Sequence, residues 1–175
     1  MITYLQTVLT AQFEAALSMM KQRVEACPIE YFEGFIGDAT VRQLVYHALF
    51  WLDYYLTSHE DAFILHTFVL HGGDERRPVI SDGLSKEETM AYIEYCRNKI
   101  RMSIAAETEE SLQGGSGFPS IFVKTKLTRG ELHLYNLRHL QHHTAQLSVY
   151  LRRVSDENNL SLDLTWVGTG WPVNA

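Results

Sequence analysis

Hydrophobic residues recur at intervals of three and four along four long segments, the spacing of one buried face of an α-helix. The first segment runs from about residue 3 to 26 and is ended by Pro28. The second runs to about residue 58, and either Asp38 or Thr40 can act as its N-cap. The pattern therefore predicts two amphipathic helices in the first third of the chain.

Two later helices are marked by capping boxes, in which a Ser or Thr is followed three residues later by Glu. Ser85 and Glu88 open a helix that is expected to reach about residue 110. Thr128 and Glu131 open another, expected to continue to about residue 154. The sequence GGSG and Pro119 separate the two.

The connection between the second and third helices, residues 59–84, is long, turn-rich and charged. Within it, the stretch HEDAFILHTFVL can add a short helix. Four helices of similar length with one long connection predict an all-α four-helix bundle, a single domain over residues 1–175. The tail after the fourth helix is expected to be non-helical, with Trp166 and Trp171 covering one end of the core.

Composition excludes several functional classes. The net charge is −6 and no cluster of Lys or Arg occurs, so no nucleic-acid surface is expected. No apolar run is long enough to cross a bilayer, and the N-terminal segment lacks the features of a signal peptide. Cys27 and Cys96 lie on apolar stripes and are interpreted as reduced core residues. A soluble cytoplasmic protein fits these features best.

Three histidines on apolar helix faces are the main candidates for chemistry. His139 and His143 are four residues apart, so they project from the same side of the fourth helix. His47 lies within the apolar stripe of the second helix. Because a buried imidazole needs polar partners, three of them from facing helices predict a three-nitrogen metal site with one open coordination position.

Other polar residues are candidates for supporting roles. The second ring nitrogens of metal-bound histidines require partners, and four residues could supply them: Asn136, Gln146, Tyr55 and Tyr150. His142 falls at the polar edge of the buried arc, and exposed or loop positions are expected for His59, His66, His71 and His133. No hydrolase triad, phosphate loop or paired core carboxylates occur, and Asp53 points to the other side of the second helix.

These residues resemble the DinB/YfiT-like superfamily of metal-dependent four-helix bundles. The resemblance rests on His47 and on His139 and His143 in RHLQHHTAQLSVYLR, where the second histidine of the HH pair precedes a small residue, Gln146 and Leu147. It covers nearly the whole chain in helix order, and the WVG near the C-terminus is also similar.

The resemblance implies a divalent metal, commonly zinc or nickel, held by the three histidines with water completing the shell. Some members of the superfamily are S-transferases or isomerases that use low-molecular-weight thiols such as bacillithiol or mycothiol. Related bundles are often homodimers. Four residues away from the main stripes are candidates for a two-fold interface: Tyr54, Tyr92, Tyr95 and Met102.

The expected chemistry is Lewis-acid activation of a bound thiol or water in the gap between the second and fourth helices. The charged loop at residues 74–77, Asp-Glu-Arg-Arg, could cover this pocket and bind an anionic small-molecule substrate. Two alternatives stay open. The bundle could be a non-catalytic stress-response or interaction module with a vestigial or structural histidine cluster, or its histidines could bind haem. Metal analysis and the presence of a Soret band distinguish them.

Overall fold

The computed structural model describes residues 1–64, 66–68, 83–118 and 126–165 and shows an all-α protein. Its helices, in chain order, are α1 (Ile2–Ala26), α2 (Val41–Leu56), α3 (Lys86–Ala106), the short α4 (Glu109–Gln113) and α5 (Arg129–Asn158). A small antiparallel hairpin of β1 (Phe35–Ile36) and β2 (Ala39–Thr40) leads into α2. The prediction of an all-α helical bundle is confirmed, with α5 as its fourth long helix.

The four long helices form a square in which α1 and α2 each contact both α3 and α5. Contacting residues show the helix directions. Leu49 of α2 lies near Cys96 of α3, and Asp53 lies near Lys99, so these two helices run in the same direction. Parallel neighbours need a connection that returns along the length of the bundle. This accounts for the long segment between α2 and α3.

Capping boxes start three of the long helices. Thr40, Ser85 and Thr128 each accept a hydrogen bond from the backbone N–H three residues later, and the side chain of that later residue accepts one from the backbone N–H of the capping residue. The two boxes predicted from the sequence are confirmed. Thr40, not Asp38, is the N-cap of α2.

Two helix ends differ from the prediction. α3 ends at Ala106 rather than near residue 110, because Glu107 is extended and turns its carboxylate inward, after which Thr108 caps the separate helix α4. α5 continues to Asn158, four residues beyond the expected end. It stops where Asn159 adopts a left-handed conformation with φ of 52°.

The core is built around α2, of which 13 of 16 residues are buried. Such a helix has no free apolar face, so the assignment of Tyr54 to a dimer surface was wrong. Tyr92 of α3, assigned to the same surface, is also buried in the core. Met102 is 75% exposed and Tyr95 is half-buried. Cys27 and Cys96 are fully buried free thiols, as predicted.

The remaining expectations concern the segment between α2 and α3 and the C-terminal tail. The loop at residues 74–77, His71 and the tail tryptophans lie outside the described residues. The described part of the segment after α2 contains a 3-10 turn, Glu60–Ala62, in place of the short helix considered there. No helix among the described residues is long and apolar enough to span a membrane.

Candidate metal centre

His47 lies in the middle of α2 and faces α5. Its neighbours Leu44 and Ala48 are buried, so packing fixes the rotation of the helix at this point. One turn further on, the indole of Trp51 meets the His47 ring edge-to-face, with ring centroids 6.3 Å apart. The imidazole is thereby held in one direction, towards α5.

His139 and His143 lie one turn apart on α5 and face α2. Their ring centroids are 4.5 Å apart, and the rings are nearly perpendicular. Leu140 and Leu147, both fully buried, anchor α5 in the bundle on the adjoining face. The i, i+4 spacing therefore presents two imidazoles to the same point on α2.

The three histidines converge through their Nε2 atoms. His139 Nε2 lies 3.2 Å from His47 Nε2 and 3.1 Å from His143 Nε2. One ligand atom from each residue lies within 4.8 Å of the other two, so the group could hold a metal ion. At a Zn–N distance of about 2.0–2.1 Å, two ligands of a tetrahedral ion are about 3.3–3.4 Å apart, close to both observed separations.

The environment keeps these imidazoles neutral. Burial, followed by the neighbouring His143, lowers the pKa of His47 to about 4. Burial and the other histidines lower the pKa of His139 to about 3. Burial also lowers the pKa of His143, although its hydrogen bond to Gln146 opposes the shift. Neutral imidazoles offer the lone pairs that metal binding requires.

Gln146 is the candidate supporting residue that contacts the triad. Its Oε1 lies 2.8 Å from His143 Nδ1, so this nitrogen carries the hydrogen and leaves a lone pair on Nε2. Asn136 instead donates to the carbonyl of Leu52. Tyr150 donates to the carbonyl of Tyr31, and no described hydrogen bond joins Tyr55 to the triad.

Hydrogen bonding within the triad cannot satisfy all three rings. His139 Nε2 faces two nitrogens but carries either one hydrogen or one lone pair, so it can make one good hydrogen bond and not two. Its Nδ1 is buried and lacks a hydrogen-bond partner among the described residues. A cation at the centre would accept all three Nε2 lone pairs, so the donor set fits a divalent metal.

The neighbouring histidine does not join the cluster. His142 is exposed, and its ring lies 5.0 Å from that of His143 without entering the space between the helices. His59 is also exposed, as predicted. Of the two adjacent residues in the HH pair, only His143 is therefore directed at α2.

His133 was wrongly expected to be exposed: it is fully buried. Its Nε2 lies 2.8 Å from Oε1 of Glu107, and the same oxygen accepts from Arg129 Nε at 2.8 Å. Arg129 also donates to the carbonyls at the C-terminal end of α2, those of Tyr55 and Leu56 and of the C-cap residue Thr57. The signal was present in the sequence, since His133 precedes the core residue Leu140 by seven positions.

His66 was also assigned to the exposed set, but it is half-buried against Asp53. The carboxylate of Asp53 is fully buried on the α3 side of α2, away from His47 as predicted. Its Oδ2 contacts His66 Nε2 at 2.6 Å and accepts from the Tyr92 hydroxyl at 2.8 Å, while Lys99 pairs with Oδ1. These contacts tie α2, α3 and the segment after α2 together.

The sequence profile of the DinB superfamily matches residues 12–147. This span is 136 of the 175 residues and contains His47, His139 and His143. No curated protein and no solved structure shows a significant match to the chain.

Proposed function

Since the chain belongs to the DinB superfamily, we propose that it is a metal-dependent enzyme whose His47, His139 and His143 hold one divalent ion, zinc or nickel. The observation that carries the proposal is the convergence of three Nε2 atoms from two facing helices. Gln146 orients the third ligand by accepting from its Nδ1. Residues that orient ligands in this way are a regular part of metal sites.

We further propose that the reaction is a thiol-dependent S-transfer or isomerisation with a low-molecular-weight thiol as co-substrate. A divalent ion, when bound, supplies Lewis-acid chemistry that lowers the pKa of a coordinated thiol or water. Three imidazoles add no charge of their own, so the position they leave open favours an anionic ligand such as a thiolate. Three protein ligands with a free position are the arrangement of catalytic rather than structural zinc sites.

The first experiment measures metal binding. Zinc and nickel are titrated into chelator-treated protein and into two variants, His143→Ala and His142→Ala. The first variant should lose most of its affinity and keep its helical circular dichroism, because Leu140 and Leu147 hold α5 independently of it. The second should bind as the parent does, because its ring is exposed. Equal affinity in parent and His143→Ala would refute the site.

The second experiment tests the reaction. The zinc- or nickel-loaded protein is incubated with a small thiol and an aryl halide, and loss of free thiol is followed. Thiol consumption should exceed that of His143→Ala and match that of His142→Ala. If the protein binds metal but all three samples react at the same rate, the transferase proposal fails. Protein that binds neither ion would instead support a non-catalytic interaction module.

A further inference from the structure

A groove of about 400 Å³ lies on the outer side of α5, between this helix and the β1–β2 hairpin. Its floor is Tyr150, whose hydroxyl donates to the carbonyl of Tyr31 at 3.2 Å. The close approach depends on Gly34, because a Cβ at this position would collide with the Tyr150 hydroxyl. The hairpin is thus pinned to α5, and the groove is a fixed feature of the fold.

The walls of the groove are mainly apolar. Phe35 and Val149 are 65% and 64% exposed although both line it, and Ile36 and Ala145 complete the apolar lining. Single exposed apolar side chains are common on protein surfaces, whereas several around one concave surface are typical of binding sites. An apolar body of small-molecule size would cover them.

The charge of the groove has one sign. Arg153 lines it, and no carboxylate is among the lining residues in the described part of the chain, although the whole chain carries a net charge of −6. Glu157 lies 3.8 Å from Arg153, but both side chains are more than 60% exposed, so this pair is weak. The guanidinium lies over the ring of Tyr150, 5.7 Å from its centroid, at the floor of the groove.

We propose that this groove binds an amphipathic organic anion, with its carboxylate at Arg153 and its aliphatic chain between Phe35 and Val149. The volume lies in the range of small-molecule sites, about 300–1,000 Å³. If a second copy of the chain packed on this surface about a two-fold axis, two positive grooves would face each other, and no carboxylate among the described lining residues would balance them. Charge therefore favours the anion.

The groove adjoins the triad through Gln146. This side chain lines the groove and accepts from His143 Nδ1 at 2.8 Å, so a bound anion lies one side chain from a candidate ligand. Binding of the anion stands on the groove alone. Its identification as the non-reacting part of the substrate rests on the proposed function.

The test is calorimetric titration of octanoate into the full, metal-free chain, with octylammonium as the probe of opposite charge. Octanoate should bind more tightly than octylammonium, which has the same aliphatic chain and the opposite charge. Arg153→Gln should weaken octanoate binding by about two-fold to five-fold, the size of an exposed ion pair. Arg152→Gln, an exposed arginine outside the groove, is the matched control and should leave binding unchanged. Ala145→Phe, at an exposed helix position, should fill the groove and abolish binding without loss of helix.

Three results would overturn the proposal: no binding of octanoate, equal binding of the two probes, or equal effects of the two arginine substitutions. Conversion of a dimer to a monomer by Ala145→Phe, with octanoate binding unchanged, would mean that the groove is a contact between copies. Zinc titration of the same samples separates the two proposals. If the parent protein binds zinc but not octanoate, the groove proposal alone is refuted; if it binds octanoate but not zinc, the metal-site proposal alone is refuted.

Discussion

Replacing Glu107 with glutamine should destabilise the fold more than any exposed carboxylate substitution. Glu107 is 7% exposed and is the acidic partner of Arg129, which is 5% exposed. It also accepts from His133 and, through Oε2, from Ser111 at 2.6 Å. The substituted amide would keep the shape of the side chain but leave a buried guanidinium without a counter-charge.

Two independent arguments give the magnitude. Removing one partner of a buried ion pair costs about 3–5 kcal/mol, because the other charge stays buried. Burial alone would raise the pKa of Glu107, but hydrogen bonds from His133, Ser111 and Arg129 outweigh it and hold the pKa at about 2 instead of 4.5. A difference of this size corresponds to about 3 kcal/mol. The expected loss at pH 7 is therefore about 3 kcal/mol.

The assay is urea unfolding of metal-free protein followed by circular dichroism. The matched control is Glu109→Gln, two residues further on, whose 3.9 Å contact with the chain's amino group is solvent-exposed and worth little. The variant Glu107→Gln should unfold at lower urea with an unchanged m-value, since the surface exposed on unfolding is the same. The control should lie within about 0.5 kcal/mol of the parent.

The effect also has a defined pH dependence. The pKa of Glu107 is lower in the folded state, so its contribution is complete above pH 4.5 and declines as pH falls towards 2. At pH 4, protonation of the unfolded chain should reduce the difference between parent and variant by about 1 kcal/mol. A loss below about 1 kcal/mol at pH 7, or a difference that grows on acidification, would refute the reasoning.

Four further outcomes are expected. Gln146→Leu should lower zinc affinity about ten-fold in titrations, with the helical spectrum unchanged. Tyr92→Phe removes a buried donor to Asp53 and should cost about 1–3 kcal/mol in urea unfolding. Burial holds the pKa of His139 at about 3. Zinc affinity measured by competition should therefore change little from pH 7.5 to 6 and should fall as the pH drops further. A steep fall in zinc affinity near pH 6.5 would contradict this reasoning. Sedimentation at micromolar concentration should show a homodimer, and if α3 contributes to its interface, Met102→Glu should shift it towards monomer.

Local patterns were sufficient to predict most of the helices and the convergence of the triad. The capping boxes at Ser85 and Thr128 depend on residues three positions apart, and His139 and His143 are related by one helical turn. Since such relations lie within one helix, the sequence displays them directly. His47 could be added because its apolar stripe had to face another helix.

Contacts between distant segments could not be predicted in this way. His133 is buried because Glu107, 26 residues earlier, turns inward at the end of α3. The buried carboxylate of Asp53 forms an ion pair with Lys99, 46 residues later. Tyr54 was wrongly assigned to the surface because α2 is buried on nearly all sides. The sequence of such a helix has no polar face to show which side of the helix is exposed to solvent.

The separation of the three candidate ligands along the chain determines when a complete metal site could form during synthesis. His47 and His139 are 92 residues apart. At a translation rate of roughly 5–20 residues per second, α2 precedes the second ligand by roughly 5 to 20 s. During that interval neither His139 nor His143 has been synthesised, so the three-histidine set is incomplete. A metal ion that needed all three imidazoles could therefore bind only after α5 has been synthesised and has packed against α2.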